Sequence, residues 1–95
     1  MKFEWDEAKR ESNLAKHGID FVDVSEMWQG GVIDPAARRI VGAEERAVAL
    51  GTIGGARIVI AVVYTLRDGS RRIISARRAR RAERAVFANE FGYGR

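Results

Sequence analysis

The stretch Arg57-Ile58-Val59-Ile60-Ala61-Val62-Val63-Tyr64-Thr65-Leu66-Arg67-Asp68-Gly69-Ser70-Arg71-Arg72-Ile73-Ile74-Ser75-Ala76 decides the fold. Its first half, Arg57 to Leu66, holds the longest apolar run of the chain and is rich in Ile and Val. That composition suits a central strand covered on both faces. Asp68-Gly69 tolerates the positive φ angles that a two-residue hairpin turn requires. A second strand, Arg71 to Ala76, follows. A two-residue loop pairs Arg67 with Ser70, Leu66 with Arg71, Thr65 with Arg72, Tyr64 with Ile73 and Val63 with Ile74. Cross-strand partners share a face. Arg67, Thr65 and Arg72 are therefore expected on one face, and Leu66 and Arg71 on the other.

Upstream, Gly54-Gly55 reads as a tight turn and Arg46 to Ile53 as a further strand. Asp34-Pro35 marks a turn or an edge, and Arg38 to Val41 a short edge strand. Nearer the start, Asp6 can cap a helix running to Lys16, with Gly18 as its stop and Lys16 and His17 suited to its negative end. Asp20 can cap a second short helix, with Phe21, Val24 and Trp28 on one face and Gly30-Gly31 as its end. Downstream, Ser75 is read as the cap of a last helix reaching Glu90, with an inner stripe of Ala76, Ala79, Ala82 and Val86. The expected fold is α+β: a small antiparallel sheet of about four strands, two N-terminal helices and one C-terminal helix.

The chain of 95 residues is 46 % hydrophobic, enough for one domain spanning 1–95 and too short for two cores. No cysteine is present, which excludes a disulfide scaffold, a zinc ribbon and a thiol nucleophile. One histidine and scattered carboxylates leave little for a transition metal, so no metal ligand and no cofactor are expected. Met1 to Asp6 is charged with no apolar segment behind it, so no secretory leader and no membrane association are expected. Spanning a bilayer takes ~20 apolar residues.

Charge points to the partner. The net charge is +4, but residues 1–50 carry −3 and residues 51–95 carry +7. Every cation after Lys16 is arginine, and Arg71 to Arg84 holds seven of them against the single acid Glu83. The arginine fork grips phosphate in two places, so a polyanion, and first of all nucleic acid, is the expected ligand. Arg77 and Arg78 would lie beside the N–H groups of the last helix, where anions bind and where a cation opposes the dipole. An exposed Arg77 would contribute little to stability. The competing reading is a solvated helix face with Glu83 as a salt-bridge partner. His17 can serve as general acid or base near neutral pH, or simply as the end of its helix.

Several of these residues together resemble the BrnT family. Phe3-x-Trp5-Asp6, Lys9, Asn13, Lys16-His17-Gly18-Ile19 and Phe21 match its opening. Arg72-Ile73-Ile74-Ser75-Ala76-Arg77, Ala79 and Glu83 match its C-terminal signature. Trp28, Asp34-Pro35, Glu45-Arg46, Gly51 and Tyr64-Thr65-x-Arg67 match more loosely between them. The resemblance implies a RelE-like toxin of a bacterial type II toxin–antitoxin system, a cytoplasmic endoribonuclease that stops translation and growth. It implies neutralisation by a BrnA-type antitoxin with a ribbon-helix-helix part, in a heterotetramer of two toxins and two antitoxins that reaches operator DNA only through the antitoxin. Where the family often carries a tyrosine in the last helix, this chain has Phe87, so that phenolic proton donor is missing.

With no metal expected, cations must stabilise the charge that builds when an RNA 2′-hydroxyl attacks its phosphate. The candidate catalytic residues are Arg67, Arg77, Arg78, His17 and Lys16, with Glu83 a further candidate proton acceptor. Arg72, Arg80 and Arg81 are the candidate RNA-binding residues. A non-catalytic nucleic-acid-binding or interaction module fits the arginine run equally well.

Overall fold

The computed structural model describes residues 1–55 and 58–92. The Asp6 carboxylate caps α1 (Glu7–His17) by accepting from the backbone N–H groups of Ala8 at 2.8 Å and Lys9 at 3.3 Å. Gly18 closes the helix at φ 72°, where a side chain is costly. Asp20 caps α2 (Phe21–Val24) through Val22, and a 3-10 turn, Ser25–Gln29, continues to Gly30. These caps and stops are the expected ones.

Five strands form the sheet, in the spatial order β1 (Lys2–Glu4), β5 (Ser70–Arg78), β4 (Ile58–Arg67), β3 (Glu44–Ile53), β2 (Val32–Val41). Neighbours are antiparallel except β1, which runs parallel to β5 with Phe3 opposite Arg71. The sheet is therefore mixed and five-stranded, which corrects the expected four antiparallel strands. Three residues are too few to show an alternation, so β1 left no mark in the sequence. The edge strand also starts earlier than Arg38 and carries Asp34-Pro35 inside it, next to a register shift between Ile33 and Ala37. An edge strand tolerates proline because its outward N–H has no partner to lose. Arg57 of the expected central strand lies outside the described residues.

At the β4–β5 hairpin, Asp68 and Gly69 both have positive φ, 50° and 80°. Pairing follows the expected register from Arg67–Ser70 to Tyr64–Ile73, so Arg67, Thr65 and Arg72 share a face. Then a bulge intervenes, and Val63 faces Ser75 instead of Ile74. The strand continues to Arg78, and the last helix, α3 (Arg81–Phe91), begins only at Arg81. Ser75 is thus no helix cap. Its neighbour is held extended by Asn13 of α1, whose Nδ2 donates to the Ala76 carbonyl at 2.8 Å while its Oδ1 accepts from the Ala76 N–H at 3.1 Å. Asn13 Nδ2 also reaches the Ile19 carbonyl at 3.1 Å. One buried amide thereby replaces a strand partner along the edge that β1 leaves uncovered. The alanine stripe is corrected with it: Ala76 and Ala79 are buried, but ahead of the helix, while Ala82 and Val86 are exposed. Phe87 is the residue α3 buries, against Val48, Leu50 and Ala61.

The opposite face of the sheet packs Phe21, Val24 and Met27 on Ala49, Ile60, Val62, Ile73 and Ala76. Met27 sits so close to β3 that a Cβ on Gly51 would lie 2.1 Å from its Cγ. On the same side Asp34 gathers three donors. Trp28 Nε1 reaches it at 3.0 Å and Arg71 Nη2 at 2.9 Å, and the Tyr64 hydroxyl donates to its other oxygen. The Arg71 guanidinium also lies over the Trp28 ring, 4.5 Å from its centroid. Arg71, the first of the arginine run, is therefore a structural residue.

Candidate functional site

The face carrying α3 is only partly covered, and its open part is cationic. By register, Val48, Val63 and Ser75 lie side by side across β3, β4 and β5 on this face, and Arg77 follows Ser75. Arg39 of β2 stands directly across from Arg46 of β3. Arg39, Arg46, Arg77 and Arg80 surround a cavity of about 230 Å³ floored by Val48 and Val63, and no carboxylate lines it. Two of the four are answered from outside: Arg46 Nε meets Glu44 at 3.0 Å, and Arg77 meets Glu83. The Arg39 guanidinium has no hydrogen-bond or ion-pair partner among the described residues, and the Arg80 charge adds to the field that holds Glu83 low. Like charges directly opposite on paired strands are destabilising. A cluster kept in spite of that repulsion is suited to an anionic ligand.

Arg77 is not at a helix terminus, as the sequence suggested, but on β5. Its Nη1 and Nη2 donate to Glu83 Oε1 at 2.7 Å and Oε2 at 3.0 Å. Glu83 Oε1 also accepts from the Arg80 backbone N–H at 2.7 Å, so the carboxylate serves the start of α3 as well. The Arg77 bonds hold the Glu83 carboxyl below the usual range, against the opposing pull of its partial burial. Glu83 pushes Arg77 upward in turn.

A second groove, also about 230 Å³, lies between α1 and β5 and is lined by Lys9, Ser12, Lys16 and His17. It shares Ile74 and Ser75 with the arginine cavity, so the two flank one ridge at the bulge. The structure thus brings Arg77 and Arg80 together, and Lys16 and His17 together, on either side of Ser75.

It does not gather the other candidates there. Arg72 turns toward β1 and lies 3.7 Å from Glu4. Arg78 faces the opposite side of the sheet, across from Ile60, and is exposed. Arg81 is exposed at the start of α3. Arg67 lines a separate depression of about 430 Å³ with Arg38, Glu44 and Glu45. There Glu45 pairs with Arg38 at 2.8 Å and Arg67 alone adds unpaired positive charge, so the carboxylate-free cavity with its four arginines is the better phosphate site.

Sequence reasoning missed Arg39 and Arg46. A signal existed: Val41-Gly42-Ala43-Glu44 is another two-residue turn, with Gly42 at φ 64° and Val41 paired to Glu44. Reading it would have set Arg39 opposite Arg46. Among the described residues, no three His, Asp or Glu side chains gather as a metal would need, and no helix is long and apolar enough to cross a membrane.

A comparison with curated proteins finds no match. The sequence model of a family described as the ribonuclease toxin BrnT of type II toxin–antitoxin systems matches residues 5–83, which takes in α1, the whole of β2 to β5, the arginine cavity and the His17 groove. With that match over most of its length, the chain belongs to the BrnT family of ribonuclease toxins.

Proposed function

We propose that the protein is a metal-independent endoribonuclease that cuts RNA at the arginine cavity. The observation that carries this reading is the cavity itself: four arginines, no lining carboxylate, and Arg39 directly opposite Arg46. The RNA 2′-oxygen attacks phosphorus, the O2′–P bond forms and the P–O5′ bond breaks. The 2′-hydroxyl proton passes to a base and the leaving O5′ receives a proton, giving a 2′,3′-cyclic phosphate and a 5′-hydroxyl end. Arg39, Arg46, Arg77 and Arg80 hold the phosphate oxygens as their charge grows. His17 and Lys16, beyond the Ser75 ridge, take the proton-transfer roles. Arg81, exposed at the start of α3 beside Arg80, contacts a flanking phosphate.

In the cell the protein acts in the cytoplasm as a toxin that halts translation and growth. A BrnA-type antitoxin neutralises it in a complex of two toxins and two antitoxins, and that partner alone contacts operator DNA. The test is incubation of purified protein with RNA, with and without EDTA, followed by analysis of the product ends. Cleavage in EDTA with cyclic phosphate ends is expected. Loss of cleavage in EDTA, restored by a divalent ion, contradicts the metal-free reaction. Binding without cleavage under both conditions supports a non-catalytic module.

A further inference from the structure

Beside the arginine cavity, β2 and α3 leave an apolar trench of about 160 Å³ between them. Ala36 and Ala37 form one wall, Ala82 and Val86 the other, and Val48 and Leu50 the floor. The floor is buried, whereas the four wall residues are open to solvent and Val86 is 52 % exposed. Three of the four wall side chains are alanines, too short to close over Val48 and Leu50. Glu83 also lines the trench, but both of its oxygens accept from Arg77.

Both walls turn from apolar to cationic at the same end. Two residues beyond Ala37, on the same face of β2, stands Arg39. Two residues before Ala82 stands Arg80, which lines the same cavity as Arg39. Val48 belongs to the trench and to the cavity, so the two are continuous. A ligand lying along this surface meets aliphatic groups and then a cluster of guanidinia. RNA matches only the second half. The trench offers a nucleobase no aromatic ring to stack on, and its one charged side chain is already bound. A protein segment with aliphatic side chains followed by a carboxylate matches both halves. Ala82 and Val86 lie one helical turn apart, about 6 Å, close to the ~7 Å between alternate side chains of an extended segment. The family supplies the kind of protein, because its members are toxins of type II toxin–antitoxin systems.

We infer that the trench and the arginine cavity together form the docking surface for an aliphatic and acidic segment of the antitoxin. The aliphatic side chains fill the trench, and the carboxylate takes the place of the phosphate beside Arg39. Antitoxin and RNA therefore exclude each other. This rests on the arginine cavity being the RNA site, and variants of the trench alone test it separately.

The probes are the full-length cognate antitoxin and a fluorescent 2′-deoxy hexathymidylate, which has no 2′-oxygen to react. Calorimetry reads the first and anisotropy the second, both on the full-length protein. Ala36→Gln and Val86→Gln each put a polar amide at an exposed wall position without changing the charge. Each should keep its melting temperature and its affinity for the oligonucleotide, and each should bind antitoxin about tenfold more weakly or worse. Arg39→Ala should weaken both ligands, and Leu66→Gln, on the opposite face of the sheet, neither. Antitoxin should displace the oligonucleotide from the unaltered protein. Unaltered antitoxin affinity in both trench variants overturns the inference, and so does antitoxin that binds without displacing the oligonucleotide. A protein that is dimeric alone and becomes monomeric in Val86→Gln gives the trench to a second copy of the chain and also overturns it. An unaltered protein that binds no oligonucleotide overturns the RNA reading of the cavity, while weaker antitoxin binding by the trench variants then still supports the docking surface.

Discussion

Arg77 and Glu83 are joined by two hydrogen bonds, 2.7 and 3.0 Å long, that tie the end of β5 to the first turn of α3. The same carboxylate accepts from the Arg80 backbone, so one acid orders both sides of the strand–helix junction. Arg77 is therefore structural as well as a member of the cationic cavity. Arg77→Ala should lower unfolding free energy by about 1–2 kcal/mol, more than an exposed ion pair contributes. Urea denaturation measures this. An unchanged midpoint would place the Arg77 side chain in solvent.

The pair also sets a pH dependence. The Glu83 carboxyl is held low in the folded protein. Its contribution is present above the unfolded value of ~4.3 and disappears as pH falls through the lower folded value. Stability should drop between neutral pH and pH ~3 by less in Glu83→Gln than in the unaltered protein. Identical drops in the two proteins would show that Glu83 is not the group responsible.

Asn13 is the second junction. Its amide serves Ala76 through both the N–H and the carbonyl, and the Ile19 carbonyl as well. Asn13→Ala leaves these buried backbone groups without partners, and should cost about 2–3 kcal/mol in urea denaturation. Asn13→Asp keeps the acceptor and loses the donor, so its cost should be a large part of that. A cost within ~0.5 kcal/mol for Asn13→Ala would mean that water replaces the amide.

These junctions explain what could be read in advance. The Asp68-Gly69 turn, the caps at Asp6 and Asp20 and the stop at Gly18 are local chemistry, and each was legible. The last strand and helix were misread because Ser75 resembles a cap and the alanines resemble a stripe. What decides that region is Asn13, 63 positions away in sequence from Ala76. The site was half legible for the same reason. The arginines of β5 and α3 form a run, whereas Arg39 and Arg46 belong to the cavity only through the pairing of β2 with β3.

Salt should expose the phosphate contacts. Binding of single-stranded RNA should weaken with a log–log slope of ~−0.7 per phosphate held. Replacing Arg80 by Ala should make that slope shallower by about that amount. A slope unaffected by this change would remove Arg80 from the contacts.

Arg39 gives the sharpest separation of function from folding. It has no carboxylate partner among the described residues and stands opposite another arginine. Removing it relieves repulsion, so Arg39→Ala should melt at the same temperature as the unaltered protein or higher. If the cavity stabilises charge during cleavage, the same change should cost ~3 kcal/mol of transition-state stabilisation, about a hundredfold in rate. The decisive measurement is the single-turnover rate of RNA cleavage by Arg39→Ala, with its melting temperature taken on the same sample. A folded variant cleaving roughly a hundredfold more slowly is the predicted result, and a folded variant cleaving at the unaltered rate would contradict the arginine cavity as the site of reaction.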